Sequence, residues 1–476
     1  MPLPPPLRGV RPRALPSRRQ LLAGGAVVLA GCRAEVPLVA ETGDDSGDSG
    51  VLGESADTGE TGDIGEPVET FDVSLYEEDP ELFPTAVMAG LPEQTSIRLA
   101  CVVADTSEVE VVVWDAESRL VHRALVTPSE TGAVMVDVED LSDGTWYAYT
   151  FVRDYQRSIA ARFRTAPAND WLEPLSIAIT ACNGASNDPW PILSVSAQQD
   201  VDLLLHLGDM AYNDDASDLD EFRDNWRWYL SGDGFREAYA RCALIATWDD
   251  HEVSNDWDPD SVSPERVAIA MEAYFEHIPV HRSKDGTIWR SYRWGSVAEL
   301  FVLDCRSERD PGTRLGDDAI YISRAQMDWL KQALIDSPCH YKLVMNSVPI
   351  TNMPPIWDLA ASDRWEGYDS QRHELLFHLS AEGLDDVWFL SGDFHVCFAA
   401  KVQADMGGAA GRTWEVACTG GNTNPLGDSL NVLYPDQFDY GTSGARAVIL
   451  TFDPIEEEVT VRFLTEDGDL DHELVV

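Results

Sequence analysis

Residues 203–214 read LLLHLGDMAYND: an apolar run with the character of a buried strand, closed by Gly208-Asp209 and followed three residues later by Tyr212. An aspartate at a strand end commonly closes a turn. It also leaves a carboxylate within reach of whatever the neighbouring strands present. The same punctuation recurs along the chain. LSIAIT (175–180) ends near Cys182, CALIAT (242–247) runs into Trp248-Asp249-Asp250-His251-Glu252, and AELFVL (298–303) ends at Asp304 and Arg306. YKLVM (341–345) ends at Asn346-Ser347, and DVWFLSG (386–392) at Asp393-Phe394-His395. For one such end the turn reading suffices. A whole set asks for more, because strands of an α/β sheet present their ends to a common crevice. Carboxylate, imidazole, phenolate and thiolate are all metal ligands, and two ions would need about this many.

The apolar runs after Pro167 alternate with helical stretches such as SRAQMDWLKQALI (323–335), where Ser323 fits an N-cap and Met327, Leu330 and Leu334 share a face. This is the pattern of an α/β domain over residues 168–476. Residues 81–167 differ, with short alternating strands separated by turn signals at sandwich-like intervals. They predict an all-β domain in which Trp146, Tyr147 and Tyr149 belong to the core. The GTWYAY segment (144–149) and the closing RFRTAP (162–167) resemble the end of a fibronectin type III-like module.

The first 80 residues predict no core. Arg8, Arg11, Arg13, Arg18 and Arg19 precede a short apolar run from Leu21, the layout of an export signal over residues 1–32. SRRQLL (17–22) resembles a twin-arginine signal, and LAGC (29–32) resembles a lipobox that would leave Cys32 as a lipidated first residue. Cleavage without lipid is the alternative. Residues 33–80 are acidic and poor in large apolar side chains, and read as a solvated tether. The expected location is the periplasm or cell envelope, held to the membrane by the lipid alone.

The chain has 476 residues, 83 acids against 34 bases and a net charge of −49. That balance excludes nucleic acid as an expected partner, since phosphate backbones are bound by basic patches. An anionic small molecule must instead be captured locally, within the screening length of about 8 Å. The eight cysteines are compatible with disulfides after export, but their spacing specifies no pairing.

Taken together and in order, LHLGDMAYND, ATWDDHEVSND, AMEAYFEHIPV, SYRWGSVAELFVLDCRSER and LSGDFHV resemble the PhoD-like alkaline phosphatases, a branch of the calcineurin-like metallophosphoesterases. The resemblance covers residues 168–470. It implies a calcineurin-like β-sandwich flanked by helices, and it accommodates the fibronectin-like N-terminal domain and twin-arginine export. It also implies that Asp209 bridges two metals while Tyr212 binds one of them, ferric iron, as phenolate. A phenol has a pKa near 10 in water, so a strong Lewis acid is needed to keep it ionised. By the same resemblance Cys182 and His395 complete the iron set. For Cys182 a disulfide or a buried free thiol is the alternative. The second ion would take Asp209, Asp250, Asp393 and Asn346. Oxygen donors favour a hard cation and the family implies Ca²⁺, with Mg²⁺, Mn²⁺ or Zn²⁺ left open.

The activity implied is hydrolysis of small organic phosphate esters by attack of metal-activated hydroxide. His251 is then the expected proton donor to the leaving oxygen. Arg306 is the expected bidentate clamp on the phosphoryl group, with Arg309 a weaker candidate. A phospholipase D-like or nucleotide phosphodiesterase on the same site, and a non-catalytic surface-binding lipoprotein, are the alternatives. The protein is expected to act as a monomer.

Overall fold

Alternation within the apolar runs sets the layers. Leu175–Thr180 (β1), Leu203–His206 (β2) and Ala243–Ala246 (β3) pair in parallel. Ala298–Val302 (β4), Tyr341–Met345 (β5), Val387–Ser391 (β6) and Trp414–Ala417 (β7) form a second parallel set. Successive side chains of a strand point to opposite faces. One face of the first set, with Ile177, Ile179, Leu205 and Ile245, shares a single core with Leu300, Leu343, Leu390 and Val416 of the second. The opposite faces are covered separately. Ala178, Leu204 and Leu244 pack under Leu219–Leu230 (α1) and Pro264–His277 (α2) through Phe222, Trp226 and Tyr274. Phe301, Val344 and Phe389 pack under Arg324–Asp336 (α3) and Asp369–Glu382 (α4) through Met327, Leu330, Leu375 and Leu379. The result is helix, sheet, sheet, helix. Strands buried on both faces explain why these runs carry so little polar alternation. Each buried Leu or Ile contributes roughly 1.5–3 kcal/mol.

The helix starts follow local chemistry. Ser323 caps α3 by accepting from Gln326 N at 3.2 Å, and Met327, Leu330 and Leu334 lie buried on one face, as the sequence predicts. Ser263 caps α2 ahead of Pro264, whose missing N–H costs nothing at a first turn.

The computed structural model describes residues 69–284 and 286–476. The signal segment, Cys32 and most of the tether lie outside the described residues. The first sheet has nine strands and the second seven. Beyond β3 the first sheet continues through Met88–Gly90, Ile97–Val102 and Ala133–Val138, joined by the pairing of Leu244 with Gly90. Val109–Trp114, Leu120–Val126 and Trp146–Arg153 belong to a separate six-stranded sheet. Tyr147 and Tyr149 are buried in the shared core, whereas Trp146 is only half-buried, beneath the Arg162 guanidinium at 4.3 Å. No helix among the described residues is long and apolar enough to cross a membrane.

Cys101, Cys182, Cys242, Cys305, Cys339, Cys397 and Cys418 are all buried free thiols. In the absence of reductant the native protein should therefore be inert to an aromatic disulfide reagent at these positions. After denaturation the seven should titrate; recovery of fewer, restored by reduction, would mean that disulfides form.

Candidate metal centre

The loops leaving the C-terminal ends of β1, β2, β3 and β6 meet at one place. Behind β2, Gly208 adopts φ +108°, and a Cβ there would stand 2.4 Å from the Cβ of Asp249. Only glycine lets the two loops approach this closely. Asp209 follows, 1% exposed, and the turn brings Tyr212 back so that its Oη lies 3.4 Å from Asp209 Oδ2 and 3.5 Å from His395 Nε2. Asn422 Nδ2 donates to the same Oη at 2.7 Å. Cys182, beyond β1, and Asp393 and His395, beyond β6, complete the convergence.

Three overlapping groups of donor atoms arise, each spanning no more than 4.8 Å: Cys182, Asp209 and His395; Asp209, Asp250 and His251; Asp249, Asp250 and Asp393. Cys182, Asp209, Asp393 and His395 all have left-handed backbone, with φ between 55° and 59°. Such conformations cost about 1–3 kcal/mol each and persist only where the surroundings over-determine them.

The main constraint is Glu252, itself 1% exposed. Its Oε2 accepts from Asp209 N at 3.1 Å and Asp249 N at 2.8 Å, and its Oε1 from Met210 N at 2.6 Å. One carboxylate thus ties the loop after β2 to the loop after β3. Asp209 Oδ1 in turn accepts from His251 N at 3.2 Å.

Arg306 differs from the sequence expectation. It is fully buried, donating through Nε and Nη2 to both oxygens of Asp249 (2.7 and 3.0 Å), through Nη1 to Asp363 (2.6 Å) and through Nη2 to Asp393 (3.1 Å). The bidentate face expected to grip a phosphoryl group is occupied by Asp249, so Arg306 orients carboxylates instead. Arg309 is also buried, on Asp363, Cys305 O and Tyr321 Oη. Asn346 keeps its amide oxygen on Cys305 Sγ (3.1 Å) and Trp365 Nε1 (2.9 Å), and its amide nitrogen on Val348 O. His251 is held by Asp214, Nδ1 to Oδ2 at 2.8 Å, and its ring stacks on Tyr212 at 3.8 Å.

The electrostatics call for cations. Burial, then the neighbouring Asp250, Asp249, Glu252 and Asp393, raises Asp209 well above the carboxylate range. Burial and Asp249 do the same to Asp393. Burial pushes the Cys182 thiol and the Tyr212 phenol up, each helped by Asp209. Glu252 is raised by burial to about 7 although three N–H groups favour its charged form. Asp250 Oδ1 is buried with no partner among the described residues. A cluster of buried anionic donors with an orphaned oxygen fits a pair of metal ions, because positive charge reverses every one of these shifts.

Sequence reasoning assigned no role to Glu252, Asp249, Asp214 or Asn422. The first two lie inside the WDDHE run, where a buried charge beside a ligand was the available signal. Asn422 gave none, since its role depends on a contact across 210 positions.

The fold is that of the metallophosphatases. A solved structure titled "Structure of PhoD" superposes with a TM-score of 0.72 at 20% identity, covering 83% of this chain and 89% of that one. The purple acid phosphatase PPD1 from yellow lupin seeds matches with 0.60 at 12% identity, covering 83% and 75%. The sequence model of the PhoD-like phosphatase family matches residues 177–448, and the chain belongs to that family. It is 25% identical over 333 residues to alkaline phosphatase D of Bacillus subtilis strain 168, a match covering 59% of this chain and 56% of that protein. The match thus spans little more than half of that relative's length.

Glu252→Gln should present an amide to backbone donors it cannot fully serve. It should cost about 3 kcal/mol, the worth of one or two charge-assisted hydrogen bonds, and lower the metal content of the purified protein. Urea unfolding and elemental analysis on the same sample check both, and wild-type values in each would remove Glu252 from its role.

Proposed function

We propose that the chain is an exported, metal-dependent phosphoric ester hydrolase of the alkaline phosphatase D type, acting on small organic phosphate esters. The observation that carries this reading is Asp209, which belongs both to the group with Cys182 and His395 and to the group with Asp250 and His251. A carboxylate with that double membership suits a bridge between two ions. Family membership and the fold support the same reading.

Cys182, Asp209, Tyr212 and His395 would hold the ferric ion. Asp209, Asp250 and Asp393 would hold the second ion, Ca²⁺ by family resemblance, with Mg²⁺, Mn²⁺ or Zn²⁺ as alternatives. Asn346 joins the second set only by releasing its oxygen from Cys305 or Trp365. When bound, the two ions supply Lewis acidity, acidifying a water and drawing charge from the phosphoryl oxygens. The protein does the rest. Arg306 holds Asp249 and Asp393 in register from below. His251 faces opposing influences: burial lowers its pKa, but Asp214 and Asp250 outweigh that and hold it above the usual imidazole value. A ring fixed through Nδ1 by Asp214 is suited to donate to the departing alkoxide. Asn422 fixes the Tyr212 oxygen from the far side.

The proposed organisation is a twin-arginine signal with a lipid site at Cys32 in residues 1–32, a tether over 33–80, a fibronectin type III-like sandwich over 81–167 and the metallophosphatase body over 168–476. The protein acts as a monomer at the cell envelope. Cys32→Ser should release it from membranes with its activity intact.

Metal analysis with a chromogenic monoester and diester tests the reading. Hydrolysis should fall away on removing the metals and return on adding them back. Tyr212→Phe should remove or strongly shift a visible charge-transfer band. A colourless, iron-free and fully active enzyme would overturn the iron assignment, and a metal-loaded protein inert to both esters would overturn the hydrolase.

His251→Ala should keep its metals but lose roughly 10²- to 10⁴-fold in turnover of alkyl esters, and much less with an aryl ester whose leaving group departs unaided. Asp214→Asn should show the same leaving-group dependence in weaker form. Equal losses on both ester types would locate the proton donor elsewhere.

A further inference from the structure

The metal centre has unlike surroundings on its two sides. Beside Tyr212, a depression is lined by Asp215, Glu221 and Asp224 and holds no base. On the other side a cleft of about 340 Å³ opens onto Asp393 and His395, and its wall includes Arg314. Arg314 is exposed, and two of its guanidinium nitrogens are steadied by carbonyls: Nε by Pro311 O and Nη1 by Ser362 O, each at 3.3 Å. It makes no ion pair among the described residues, in a chain where acids outnumber bases 83 to 34.

Four acids line the same cleft, Asp256, Asp258, Asp363 and Asp393, and two of them, Asp363 and Asp258, are engaged elsewhere. Asp363 is spent on Arg306 and Arg309, at 2.6 and 2.8 Å. Asp258 turns its carboxylate onto the N–H groups of Asp260 and Ser261, at 3.0 and 2.9 Å. The wall of the cleft also includes an aromatic pair, Trp357 and Phe394, stacked 5.2 Å apart at an interplanar angle of 6°. The buried Trp357 Nε1 has no acceptor among the described residues.

We propose that Arg314 determines specificity by holding a second anionic group, so that the preferred substrates are organic phosphates whose leaving group carries a further phosphate or carboxylate. This rests on the hydrolase reading above. The leaving group lies along the Trp357–Phe394 wall while Arg314 takes the distal anion through Nη2, the guanidinium nitrogen not engaged by Pro311 O or Ser362 O. A local cation matters here because the rest of the chain repels anions, and only charges within about 8 Å escape screening. The Tyr212 side has acids and no base in its lining, so it offers no cation to such a group.

The test compares the metal-loaded wild type with Arg314→Ala and Arg314→Lys. For propane-1,3-diol bisphosphate, Arg314→Ala should raise KM roughly tenfold or more with kcat unchanged, whereas propyl phosphate should move by less than about twofold. Arg314→Lys should recover part of the loss. Calorimetry with unreactive probes reads the same preference without turnover. Wild type should bind propane-1,3-bisphosphonate at least roughly tenfold more tightly than propylphosphonate, and Arg314→Ala should bind the two alike. Hydrolysis of both esters with no preference, or a preference that survives Arg314→Ala, overturns the inference and leaves the hydrolase standing. An Arg314-dependent binding preference in a protein that hydrolyses neither of these esters nor the chromogenic diester sinks the hydrolase alone. Binding of neither phosphonate sinks both.

Discussion

Three backbone N–H groups, those of Asp209, Met210 and Asp249, end on the buried carboxylate of Glu252. The site depends on this fixture because the loops it joins carry the donors on which the cluster is built. Asp209 sits in a left-handed conformation, φ 56°, that is disfavoured for a residue with a side chain. Glu252 engages Asp209 N directly, and Asp249 N links the next loop to the same oxygen. Gly208 makes the arrangement sterically possible, since any side chain there would collide with Asp249.

The same economy of contacts runs outward. Asp249 receives Arg306, and Arg306 reaches Asp393 on the loop after β6, so the donors contributed by the two sheets are tied through one guanidinium. Burying so many charges is unfavourable unless each is paired. Here the pairing is incomplete within the protein, as the orphaned Asp250 Oδ1 and the upward shifts of Asp209 and Asp393 attest. Bound cations would complete it. The two-sheet core makes the site rigid enough to hold these groups, because neither sheet has a free face along the strands that bear them.

The strand ends were legible because strands buried on both faces leave an uninterrupted apolar run, and a polar residue at its end stands out. Asp209, Asp250, Asp393, His395 and Cys182 were found in that way or by family resemblance, and they lie together. The helix cap at Ser323 was legible because capping involves residues three apart. Arg306 misled for a related reason. An arginine at a strand end looks the same in sequence whether its guanidinium faces a ligand or a carboxylate 57 positions away.

By itself the sequence determined the apolar runs, their polar terminators, the acidic balance and the candidate donors, because each is a property of residue type and near-neighbour spacing. The tertiary structure alone decided which donor atoms come together, with Asp209 in two groups, and which polar groups hold them: Glu252 beneath two loops, Asp214 behind His251, Asn422 on Tyr212. Those assignments depend on distances between loops that are remote in the chain. The packing of two sheets against each other sets such distances, and no local pattern records them.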